Sequence, residues 1–133
     1  MKKLVLAFLF ILVAQFGMAQ DAFKQDVVKY LELSGQRKTF EILTKDLVKN
    51  VPAQKQVDFK KELDASLAEL MNKMADIYVK EFTHDDIKTA IKFYESPVGK
   101  KISGKSEILF EQAQAVGQEW GMGLQGLMMK YMQ

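Results

Sequence analysis

Phe59-Lys60-Lys61-Glu62-Leu63-Asp64-Ala65-Ser66-Leu67-Ala68-Glu69-Leu70-Met71-Asn72-Lys73-Met74-Ala75-Asp76-Ile77-Tyr78 decides the fold class. Phe59, Leu63, Leu67, Leu70, Met71, Met74, Ile77 and Tyr78 return at intervals of three and four, so they form one apolar stripe on a long helix. The opposite face pairs unlike charges one turn apart: Lys60 with Asp64, Glu69 with Lys73, Asp76 with Lys80. Such pairs are what a solvated face carries, each worth a few tenths of a kcal/mol. The Met and Leu stripe is therefore read as core rather than as a cofactor box, since Met fills irregular gaps between packed helices.

Helical spacing continues on both sides of this segment. Upstream, Val27, Val28, Tyr30 and Leu31 predict a helix from about Asp21 to Ser34, closed by Gly35, which takes the left-handed conformation readily. Phe40, Leu43, Leu47 and Val48 predict a second from about Gln36 to Asn50, ended by Pro52, which disfavours a helical residue before it. Downstream, Thr83 is an N-cap whose hydrogen bond Asp86 can return, and Asp85 and Asp86 suit the positive start of a helix that runs to about Glu95. Ile87, Ala90, Ile91 and Tyr94 lie on one face of that helix and Phe93 on another, so it is expected to be covered on more than one side and to lie centrally. Ser96 caps the next start and Pro97 takes the first helical position, where its missing N–H costs nothing. From Val98 to Tyr131 helical spacing persists, predicting a fifth helix as one long rod with room for a kink. The expectation is an all-α, single compact domain of about five helices.

The first residues read as an address. Lys2 and Lys3 precede the apolar run Leu4 to Val13, and Gly17-Met18-Ala19 places small residues where a signal peptidase cuts, so 1–19 is expected to be a signal peptide and 20–133 the helical domain. Gln15 interrupts the run, which is short of the roughly 20 apolar residues that span a bilayer. No cysteine follows the cut to be acylated, so the product is expected to be exported, periplasmic or secreted, and not membrane-integral after cleavage.

Charge and composition narrow the function. Nearly half of the 133 residues are apolar, which sets the chain apart from disordered sequences. Without Lys2 and Lys3, 17 basic side chains face 17 acidic ones, and a chain with no positive excess is a poor binder of nucleic acid. The absence of Cys removes thiol nucleophiles and Cys-based zinc sites, and the single His84 cannot form a His cluster. His84 beside Asp85, with Ser96, Ser103 and Ser106 elsewhere, contains the residue types of a triad. No glycine-flanked nucleophile turn accompanies them, and Asp85 and Asp86 are accounted for by the helix start. No catalytic, cofactor or metal residue is assigned and no enzyme activity is expected; the alternatives are a carrier of an apolar ligand in the cell envelope and an envelope hydrolase whose site the sequence does not mark.

Phe82-Thr83, Ile87, Ile91 and above all Phe93-Tyr94-Glu95-Ser96-Pro97-Val98-Gly99-Lys100-Lys101 resemble the signature of the small exported bacterial proteins grouped as domain of unknown function 2059. Leu31-Glu32-Leu33-Ser34-Gly35 is similar to the end of that family's first helix. The resemblance implies an all-helical exported domain and carries over no reaction, cofactor or partner. His84 departs from the acidic or polar residue expected at its place in that family.

Two surfaces remain as candidates. Lys88 and Lys92 are one helical turn apart, as are Lys101 and Lys105, and Lys100 and Lys101 stand at a helix start where positive charge does not help the helix. The five lysines Lys88, Lys92, Lys100, Lys101 and Lys105 are either a solvated face or a patch for an anionic partner. In the C-terminal stretch, Gly117 and Gly121 lie one turn apart beside Trp120, Leu124, Leu127, Met128 and Tyr131. Glycines let a second backbone approach and Met adapts to irregular surfaces, so this face suits core packing within the chain or contact with something outside it. The partners expected are a second copy of the chain, an envelope protein or an apolar ligand.

Overall fold

The computed structural model describes residues 19–132, all helix apart from short connections, and no strand occurs among them. The proposed leader, residues 1–18 of the 1–19 expectation, lies outside the described residues. We label the helices α1 (19–33), α2 (Gln36–Lys49), α3 (Gln56–Glu81), α4 (His84–Glu95), α5 (Pro97–Gly104) and α6 (Ser106–Tyr131). A single 3-10 turn, Ala53–Lys55, leads into α3 after Pro52.

The core is where α1, α3 and α4 meet. Val27 and Leu31 of α1, Met71 and Ala75 of α3, and Ile87 and Ile91 of α4 are buried as one cluster, with Phe23, Phe40, Leu70, Met74 and Tyr78 half-buried around it. Burying a Val, Leu, Met or Ile side chain stabilises by about 1.5–3 kcal/mol, so the five larger members of this cluster contribute most to the core, while Ala75 adds little area. The α3 stripe shifts slightly from its expected path: Ala75 joins the core, whereas Ile77 is 60% exposed. Ile77 is six residues after Met71 and so about 120° around the helix from it, and it falls past the edge that α1 and α4 cover.

Local rules account for the connections. Gly35 has φ 85°, which ends α1 and starts α2 in the same residue. A Cβ there would stand 3.0 Å from Ser106 Oγ, so the bend also brings the start of α6 against the start of α2. At Thr83 both halves of the capping box form: Asp86 N–H donates to Thr83 Oγ1 at 3.2 Å, and Thr83 N–H donates to Asp86 Oδ2 at 2.9 Å. The Thr83 hydroxyl also donates to the same carboxylate at 2.6 Å. These bonds hold the Asp86 carboxyl below the ordinary carboxylate pKa. Ser96 caps α5, its Oγ accepting from Gly99 N–H at 3.2 Å, with Pro97 at the first helical position.

Three expectations are corrected. The expected fifth helix is two, because after Gly104 the regular α-helix is interrupted at Lys105 (φ −101°, ψ −1°), whose N–H donates to the Ile102 carbonyl at 3.1 Å, and the count becomes six among the described residues. Phe93 of α4 is less covered than expected: Ile87 and Ile91 are buried, but Phe93 is 46% exposed. Among the described residues the C-terminal stretch is not packed as core, since α6 has no buried residue.

Candidate functional site

Helix α6 is anchored at its first turn and bare beyond it. Glu107 reaches Lys38 at 3.5 Å and Lys45 at 4.0 Å on α2, and Ser106, Glu107 and Phe110 are partly covered. From Glu111 to Met132 every residue is exposed except Gly121, which is half-covered. Trp120 is 68% exposed, Leu127 53%, Met128 55% and Tyr131 77%, and Leu124 is the least open of these at 38%. The structure thus puts all seven residues of the expected contact face, Gly117, Trp120, Gly121, Leu124, Leu127, Met128 and Tyr131, on one unpacked rod. A Cβ on Gly117, Gly121, Gly123 or Gly126 would meet nothing within 4 Å. A mid-helix glycine is unfavourable by about 0.5–1 kcal/mol relative to alanine, and nothing among the described residues offsets that for these four.

The lysines are less concentrated. All five are exposed; Lys88 approaches Asp85 at 3.9 Å, and Lys100 borders a hollow shared with Glu32 and Glu107. Lys92 and Lys88 lie on α4, Lys100 and Lys101 on α5, and Lys105 at the joint after it. Acidic neighbours therefore interrupt the positive field on the α5 side.

His84 has a different environment from the one its position suggests. It begins α4, yet Nε2 lies 2.7 Å from Asp26 Oδ2 on α1 and the ring stacks on Phe23 with centroids 4.8 Å apart. Its carboxylate partner is Asp26 rather than its neighbour Asp85, so the pair ties α4 to α1. Tyr30, Tyr78 and Tyr94 extend the same seam with ring centroids 5.6 and 5.9 Å apart, and Gln36 Nε2 donates to the Tyr78 hydroxyl at 2.8 Å. Burial, followed by the neighbouring Tyr78 and Tyr94, raises the Tyr30 phenol above its ordinary pKa. Among the described residues no three His, Asp or Glu side chains converge.

One feature was missed in the sequence: an open groove of about 440 Å3 between α2 and α3. Ile42, Val48, Leu63 and Leu67 form its floor, and Lys38, Lys45, Lys49 and Lys60 stand on its rim with Glu41 and Asp64. Helix α2 buries no residue, and Leu43 and Leu47, whose spacing predicts the helix, are 56% and 48% exposed. Periodicity marks which face is apolar but not how completely a neighbour covers it.

The segment that joins core to rod, from Ala68 on α3 through α4 and α5 to Gly126 on α6, is the part of the chain that matches known sequence. Residues 68–126 match the family model described as uncharacterized protein conserved in bacteria, DUF2059. The chain carries a DUF2059 segment. That match takes in Phe93 to Lys101, where the resemblance is densest, and leaves Leu31 to Gly35 outside it. It also takes in Gly117, Trp120, Gly121 and Leu124 of the rod, so DUF2059 spans both the buried α3–α4 seam and much of the exposed face. No curated protein and no solved structure matches the chain.

Proposed function

We propose that this protein is an exported helical interaction protein, acting by binding through the apolar face of α6 and performing no catalysis. The observation that supports this most is α6 itself: a helix of 26 residues, rich in Leu, Met and aromatic side chains, with no buried residue. Contiguous apolar surface on that scale marks a contact site in a soluble protein. Among the described residues no helix is long and apolar enough to cross a membrane. Export rests on Lys2, Lys3, the run Leu4 to Val13 and Gly17-Met18-Ala19.

A second reading, a carrier for an apolar ligand in the cell envelope, is supported by the groove between α2 and α3, whose lining includes Ile42, Val48, Leu63 and Leu67.

Native mass spectrometry of the protein taken from its own cell envelope tests both. The binding reading expects a mass beyond the single chain that Trp120→Glu removes. The carrier reading expects a small added mass that survives this substitution. A bare single chain, beginning at Gln20 or elsewhere, would contradict both, and a chain recovered whole from membranes would contradict the export proposal.

A further inference from the structure

The strongest unexplained pattern in the molecule is the symmetry of the bare stripe on α6. Leu109, Ala113, Val116, Trp120, Leu124, Leu127 and Tyr131 follow one another in steps of 4, 3, 4, 4, 3 and 4 residues, a sequence of steps that reads the same in both directions and is centred on Trp120. The mean step is about 3.67 residues, close to the turn of a nearly straight helix, so the seven positions stay on one face along the whole rod.

We infer that α6 pairs antiparallel with α6 of a second copy of this chain, with the two Trp120 side chains at the two-fold axis. This rests on the binding role proposed for α6 and names its occupant. In the antiparallel register centred on Trp120, no stripe residue is left facing a polar one: Leu109 meets the partner's Tyr131, Ala113 meets the partner's Leu127, and Val116 meets the partner's Leu124. Such an interface is isologous and closes on itself, so it makes a dimer and not a filament.

Three further observations favour this occupant. Gly117 and Gly123 stand three residues before and after Trp120, at symmetric places, and border it on the helix surface. Among the described residues nothing uses the space above them, since a Cβ on either would meet no atom within 4 Å. Two indole rings at a two-fold axis need that space. Charge points the same way at Glu111 and Lys130: pairing in parallel would set each level with its own copy, whereas antiparallel pairing brings Lys130 within a residue of the partner's Glu111 along the axis and opposes the helix dipoles, while the two Glu119 stand close in either orientation. The area is also sufficient. Two Trp120 and two Tyr131 rings can bury about 150–250 Å2 each, and the ten aliphatic stripe side chains supply the rest of the roughly 1,200–2,000 Å2 that a stable dimer needs.

The chain has no cysteine, so single-cysteine variants of the purified full protein read the register directly. Ala113→Cys and Leu127→Cys, mixed and treated with a short bis-maleimide, should crosslink to each other. Alone, neither should crosslink, because in this register like positions are 14 residues out of step, about 21 Å along the axis. Self-crosslinking of each variant alone would mean a parallel pair and overturn the inference. A single-chain mass by light scattering at all concentrations would overturn it too. In that case a foreign mass bound through Trp120 in the envelope preparation would leave the broader binding role standing. Gly117→Leu supplies the second arm: it fills open space in the single chain, so helicity by circular dichroism should hold or rise, while the dimer weakens by about tenfold or more. An unchanged dimer would overturn the placement of Trp120.

Discussion

Gly99 of α5 is packed so tightly against Tyr94 of α4 that a Cβ would stand 2.5 Å from the Tyr94 Cα and overlap the Phe93 carbonyl. Its φ is not in the left-handed region, so the glycine is required by closeness and not by backbone conformation. This contact fixes the angle at which α5 leaves α4, and through α5 it sets where α6 starts. Gly99→Ala should therefore destabilise the fold by about 3 kcal/mol, near the upper end of the usual overpacking cost. A thermal melt of the variant checks this. An unchanged midpoint would mean that the α4–α5 corner can open at little cost.

Ser96 holds the same corner from the other side. Its Oγ accepts from Gly99 N–H at 3.2 Å and its hydroxyl donates to the Phe93 carbonyl at 2.6 Å. Ser96→Ala should cost about 1 kcal/mol, the usual loss on removing an N-cap, and Ser96→Gly only a few tenths. Denaturant midpoints for the two variants measure the difference.

Acid should loosen the start of α4. The Thr83 side chain and then the Thr83 backbone N–H hold the Asp86 carboxyl below its ordinary pKa, so the folded state binds that proton less readily than the unfolded chain does. The stability this contributes is complete above the unfolded carboxylate pKa and fades as pH falls through the lower folded value. Asp86→Asn should flatten that part of the acid limb in a pH series of melts. A variant that follows the parent across the whole acid range would contradict the capping box as a source of stability.

His84→Ala should weaken the α1–α4 seam and leave binding untouched. It removes the 2.7 Å contact with Asp26 and the stack on Phe23, a loss of about 1–2 kcal/mol for a half-buried hydrogen bond with an aromatic neighbour. Calorimetry measures the first part and the dimer or complex mass the second. Loss of binding or of a cellular phenotype in a fully folded variant would restore His84 as a functional group.

How much of this was legible beforehand differs along the chain. Helix ends with a chemical marker were read closely: Gly35, Thr83 with Asp86, and Ser96-Pro97 all act as their side chains dictate. The resemblance at Phe93 to Lys101 was legible for a related reason, because Ser96, Pro97 and Gly99 build a corner that leaves few alternatives. The break at Gly104-Lys105 was not legible, since one glycine inside an apolar rhythm is compatible with either a continuous or a broken helix. Nor could periodicity separate core from surface on α2 and α6: Leu47 and Leu127 sit in stripes as regular as that of Met71, yet only Met71 has neighbours that close over it. The pairing of His84 with Asp26, 58 residues away, was beyond local spacing altogether. Of the candidate surfaces, the α6 face was visible as composition and spacing, while the α2–α3 groove depends on how far two helices splay.

Trp120 is the chain's sole tryptophan and sits at the centre of the exposed stripe, so its fluorescence tests the contact role of α6 without any label. Emission and iodide quenching should be followed as the protein is concentrated from dilute solution. As α6 is covered, the emission is predicted to move to shorter wavelength and the quenching to fall, over the same concentration range in which light scattering shows the mass doubling. An indole that stays fully quenchable at every concentration, and also in complexes recovered from the cell envelope, would contradict the account.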